Sequence, residues 1–185
     1  MSKQIYLIIS QTGTMLCRIL KRITGAEYNH ASISLVSNLQ TMYSFGRLHP
    51  YNPFWGGFVI ESPLAGTFKR FSNTEAVILA IDVSDEQYHQ IQETLNQMLT
   101  KPDTYHYNYL GLGLAAFRIH YHKPKHYYCS EFVKEILQLS EIQGAERLNP
   151  IVQPIHFLSL PQVHEIYRGK LKDFADSLSN LPIAG

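Results

Sequence analysis

The sequence is poor in cysteine. Two in 185 residues cannot build a disulfide framework, so a reducing, cytosolic setting is expected. Charge of either sign is not in excess: 16 Lys and Arg stand against 15 Asp and Glu. That balance gives no electrostatic case for nucleic acid or a strongly acidic partner. Long hydrophobic runs are missing too. The best candidate, Tyr109 to Phe117, is about half as long as a membrane span requires. The apolar run Ile5 to Ile9 is too short for a signal-peptide core, and no small-residue cleavage site follows closely. A chain that stays inside the cell, with no integral membrane segment, is therefore expected. There is no internal repeat and no low-complexity segment. With 45% hydrophobic and 17% charged residues, the chain is neither disordered nor a coiled coil.

What is present reads as one domain spanning 1–185, with residues 150–185 as a C-terminal extension. A chain of this length buries roughly 70% of its unfolded surface and needs neither disulfide nor metal to fold. Ile5–Ser10 is short, apolar and β-branched, which predicts a buried strand. Leu16, Ile19, Leu20 and Ile23 form an apolar stripe that predicts a helix over Thr14–Thr24. From Asn29 to Leu35 the pattern alternates: Ala31, Ile33 and Leu35 face one way, His30, Ser32 and Ser34 the other. Thr41–Phe45 and Phe58–Glu61 read as further strands. The Gly- and Pro-punctuated stretch 46–57 between them reads as a loop. Glu75–Val83 predicts a strand. Ser84 with Gln87 predicts a capping box for the helix carrying Tyr88, Ile91, Leu95 and Met98. Helices are expected over Tyr107–Phe117 and Cys129–Leu139, with a basic, histidine-rich loop at 118–128. A short amphipathic ending through Ile166, Tyr167, Leu171 and Phe174 closes the chain. The order implies an α+β fold, a small antiparallel β-sheet packed against helices.

Cys129 is the first residue that could carry chemistry. It lies where a polar loop meets a helix, and a helix N-terminus supplies free N–H groups and a positive dipole end that favour thiolate. The same groups suit an oxyanion. The plainer reading is a small buried hydrophobe, as most free cysteines are, and Cys17, mid-helix without a polar partner, fits only that reading. His30 opens a strand on its polar face, where an imidazole is a suitable general base. A third group would orient it; Glu61 is the best acidic option and Ser44 the alternative, from the neighbouring strand. His120, His122 and His126 imitate a metal site, but no acidic or cysteine ligand lies inside the run and Lys123 and Lys125 would repel a cation. No metal and no cofactor is expected. Aromatic residues between 43 and 58 suit a groove wall for a sugar, peptide or acyl chain, or a loop pinned by its own rings. Tyr43, Trp55 and Tyr128 are the candidate substrate-binding side chains.

The order Asn29-His30-Ala31-Ser32-Ile33, then Met42-Tyr43-Ser44-Phe45, then Tyr128-Cys129-Ser130-Glu131-Phe132-Val133 resembles the YiiX-like proteins. These are circularly permuted members of the papain-like, NlpC-type cysteine peptidase and amidase superfamily, in which the histidine strand precedes the cysteine helix. The resemblance spans about residue 4 to residue 140. It implies a permuted papain-like fold, Cys129 as nucleophile and His30 as general base. The family's third residue falls on the strand after the histidine strand, where this chain carries Ser44. That departure leaves two options: Glu61 substitutes from a neighbouring strand, or the triad is reduced to a dyad. The resemblance implies hydrolysis of amides or esters through a thioester, on a small peptide, muropeptide or lipid-amide substrate. Two other readings stay open, a binding module with a spent site and a lipid-directed acyltransferase or thioesterase.

Overall fold

Ile5, Leu7 and Ile9 on one side and Tyr6 and Ile8 on the other are all buried, so the strand they form must be covered on both faces. This strand, β1 (Lys3–Gln11), lies inside an eight-stranded sheet. The computed structural model describes residues 3–12, 25–49 and 52–179. The helix expected over Thr14–Thr24, with Cys17, lies outside the described residues. The other strands are β2 (His30–Ser34), β3 (Met42–His49), β4 (Asn52–Glu61), β5 (Glu75–Val83), β6 (His106–Tyr107), β7 (His126–Tyr127) and β8 (Val163–Lys170). The sheet order is β7-β6-β4-β3-β2-β1-β5-β8. All neighbours are antiparallel except β6 and β7, which run parallel.

Helices cover both faces. On one, α2 (Asp85–Thr100) and α4 (Cys129–Leu139) set Ile91, Leu95, Phe132, Val133 and Ile136 against Leu7, Ala31, Ile33 and Phe45. On the other, α1 (Gly66–Arg70) and α5 (Leu171–Ser179) set Phe68 and Leu171 against Tyr6, Ile8 and Met42. The α2 cap forms as expected: Gln87 N–H donates to Ser84 Oγ at 3.1 Å, and Ser84 N–H donates to Gln87 Oε1 at 3.0 Å. Such a cap contributes about 1 kcal/mol. Helix α3 (Tyr109–Ala116) precedes β7. Among the described residues no helix is long and apolar enough to cross a membrane.

The α+β class holds, with three corrections. The sheet is larger than the small antiparallel one expected, and one pair is parallel. The 46–57 stretch is mostly strand, because β3 and β4 continue through its glycines as one long hairpin, Gly46 opposite Gly57. The glycines allow close approach: a Cβ on Gly56 would stand 2.6 Å from the Tyr109 hydroxyl. Finally, the C-terminal segment divides after Lys170 into strand and helix. β8 pairs with β5 as an edge strand, so residues 163–170 of this segment belong to the sheet.

Candidate active site

The N-terminus of α4 is held by buried polar groups. Glu131 takes a weak hydrogen bond from Tyr128 N–H, at 3.4 Å, and one from Asn108 Nδ2 at 3.2 Å. Its other oxygen faces His122 Nδ1 at 3.4 Å. Asn108 also accepts from Gly111 N–H at 2.9 Å, so one buried side chain ties the first turns of α3 and α4 together. A buried carboxylate is tolerated only when its oxygens are satisfied in this way. Sequence reasoning missed Asn108 and gave Glu131 no role. The available signal was the glutamate two residues after the cysteine, in the first turn of the expected helix.

Cys129 is thereby the first residue of α4, 5% exposed, with its thiol directed to Asn29 O at 3.8 Å. Asn29 immediately precedes His30, the first residue of β2. The strand's alternation puts His30 and Ser32 on the face opposite α4, where the imidazole lies 6.2 Å from the Phe68 ring. Cys129 and His30 come together at the start of β2, close enough for the thiol to favour the imidazolium.

Glu61, the last residue of β4, closes on the other side of the ring. His30 Nε2 stands 2.9 Å from Glu61 Oε2 and 3.1 Å from Oε1. Both side chains are 14% exposed. Ser32 Oγ donates to the same Oε2 at 2.8 Å and lies 3.3 Å from His30 Nε2. With Nε2 donating to the carboxylate, Nδ1 is the nitrogen left for the thiol. Burial disfavours the imidazolium. The Glu61 carboxylate and Cys129 more than offset that, and the His30 pKa ends well above its ordinary value. Gly46 provides the floor of this arrangement: a Cβ there would stand 3.5 Å from Glu61 Oε1 and 3.7 Å from His30 Cε1.

Of the two residues expected to orient the imidazole, Glu61 is the one that touches it. Ser44 is buried and donates to Ala31 O at 2.7 Å, which fastens β3 to β2. Its place on the strand was read correctly, but its hydroxyl serves the sheet. Ser32 was not singled out, although its position two residues after His30 on the same face was the signal for it. Tyr43 stacks on Phe58 at 6.1 Å in the core layer beneath α4. The side chain of Trp55 lies outside the described part. Tyr128 is buried, and burial beside Glu131 raises its pKa.

Two hollows flank the constellation. A cleft of about 60 Å³ opens at Cys129 between Tyr28, Leu112, Ala115, Tyr128 and Val152, and is mostly apolar. A wider pocket of about 590 Å³ lies on the Glu61 side, lined by Leu48, Phe58, Ile60 and Phe68. In the histidine run, His122 pairs with Glu131, and His126 packs 5.0 Å from the His106 ring. Among the described residues no group of three or more His, Cys, Asp and Glu could hold a metal ion. No family model and no curated protein matches this chain.

Proposed function

We propose that this protein is a cysteine-dependent acyl hydrolase, with Cys129 as nucleophile, His30 as acid and base, and Glu61 as the group that orients His30. One observation carries the reading: the buried imidazole stands between a carboxylate at 2.9 Å and the thiol at the first turn of a helix. The strand-borne histidine preceding a helix-borne cysteine is the order of the permuted papain-like fold, and the protein is read as a member of that group.

In this reading Cys129 Sγ attacks an amide or ester carbonyl carbon. The carbonyl electrons move onto oxygen, which the Cys129 backbone N–H stabilises with the dipole of α4. The carbon–nitrogen or carbon–oxygen bond breaks, and imidazolium His30 gives its proton to the departing group. Water then attacks the thioester, His30 takes its proton, and the acid and the free thiol are released. Glu61 keeps the ring in the tautomer that points at sulfur, as the third member of such triads does. The substrate class is a small peptide or lipid amide, or the matching ester. The apolar cleft at Cys129 favours an acyl chain over a charged peptide on the acyl side.

Incubation with p-nitrophenyl esters of increasing chain length, followed by intact-mass measurement, tests this. An acyl adduct on wild type that is missing in Cys129→Ala supports the mechanism. An adduct of equal yield in both removes Cys129 from it. A rate that rises with chain length supports the apolar acyl site.

A further inference from the structure

Helix α3 is apolar on every side: Tyr109-Leu110-Gly111-Leu112-Gly113-Leu114-Ala115-Ala116, continued by Phe117 and Ile119. A helix of that composition belongs in a core or a lipid phase. Here only Gly111 of its eight residues is buried. Leu110 is 57% exposed, Phe117 71% and Ile119 52%. Arg118, Lys123 and Lys125, all exposed, stand in the same turn and the loop that follows. Residues 104–130 contain no Asp or Glu at all. On a chain of balanced charge this is a local cationic field around large exposed apolar side chains.

We infer that α3 and the loop after it form a docking face for an anionic lipid surface. Leu110, Phe117 and Ile119 enter the acyl boundary, and Arg118, Lys123 and Lys125 meet the headgroup charge. Charge decides the occupant. A second copy packed on this face about a two-fold axis would oppose the same three cations to themselves. An anionic membrane neutralises them. The inference does not depend on the hydrolase reading, although Leu112 and Ala115 of this helix also line the cleft at Cys129, so a docked molecule would open that cleft near the lipid.

The test is co-sedimentation of the full chain with vesicles of phosphatidylcholine, with and without one-third phosphatidylglycerol. Binding is expected only with the anionic lipid. The triple variant Arg118→Gln, Lys123→Gln, Lys125→Gln should bind about a hundredfold more weakly, from about fivefold per cation. The pair Leu110→Ser and Phe117→Ser should lose at least about tenfold. Thermal melts confirm that each variant is folded; if the serine pair is not, the glutamine variant, whose three positions are exposed, still decides. Cys129→Ala should bind as wild type does, so failure of the catalytic proposal and failure of this one are separable. Three results would overturn the inference: no vesicle binding, equal binding with and without phosphatidylglycerol, or a wild-type dimer that the serine pair converts to monomer without any vesicle binding.

Discussion

His30 and Glu61 meet across β3, Nε2 to Oε2 at 2.9 Å, from two strands that are not neighbours in the sheet. β3 passes beneath the contact at Gly46, where an added Cβ would lie at van der Waals distance from both groups. Glu61→Gln keeps the shape but removes the charge that stabilises imidazolium. If Glu61 orients the base, kcat/KM should fall by about 10² to 10⁴ with little change in KM. Steady-state ester hydrolysis measures it; a change below about threefold would leave His30 to act alone.

Gly46→Ala tests the floor of the same contact. The new methyl group would crowd Val59 Cγ2 at 3.2 Å, which must give by a few tenths of an ångström, and would touch the His30–Glu61 pair at ordinary contact distance. Activity should change by less than about threefold while stability changes by about 1 kcal/mol. Parallel kinetics and thermal melts separate the two effects.

Ser44→Ala should do the reverse. Its buried hydroxyl donates to Ala31 O and to nothing on the imidazole. Losing it should cost about 1–2 kcal/mol, with kcat unaltered. A large loss of kcat at normal stability would bring Ser44 back as a partner of His30.

The raised His30 pKa makes stability depend on pH. A folded value above the unfolded one means that the pairing stabilises fully below about pH 6.5 and is lost as pH rises through the folded value. The Tm gap between wild type and Glu61→Gln should therefore be wider near pH 6 than near pH 9. An equal gap at both would show that His30 is not the charged partner of Glu61.

Glu131→Gln probes the anchor of α4. The change keeps one oxygen for the two donors, Asn108 Nδ2 and Tyr128 N–H, but removes the charge that strengthens both bonds and sets an NH2 opposite His122. A cost of about 1–3 kcal/mol is expected, a fall in Tm of roughly 2–4 °C per kcal/mol for a chain of this size. If this anchor sets the position of Cys129, kcat should fall as well. Glu131→Asp, which restores the charge but shortens the reach, should recover only part of it.

The elements with strong periodicity were legible in the sequence. Glu75–Val83 and Cys129–Leu139 fall where their patterns place them, and so does the Ser84–Gln87 cap. The long β3–β4 hairpin was not, because Gly46, Gly56 and Gly57 read as turn signals while serving as close-approach positions within strands. Strand β8 was hidden by its edge position, with Glu165 and Arg168 paired to each other in solvent at 2.6 Å and no face apolar throughout. β6 and β7, two residues each, carry no period to detect. At the candidate site, His30, Cys129 and Glu61 could each be nominated from residue type and element position. The choice of Glu61 over Ser44 could not, since it depends on how far a side chain reaches past an intervening strand. Asn108 was invisible because its partner lies 23 residues away in sequence.

In the proposed hydrolase Cys129 and His30 act as one unit held by Glu61. Iodoacetamide alkylation of Cys129 as a function of pH, with Cys17 changed to Ser throughout, tests it most directly. Wild type should react quickly at neutral pH, and both His30→Ala and Glu61→Gln should slow the reaction there and restore it only under alkaline conditions. Identical profiles in all three proteins would contradict the claim.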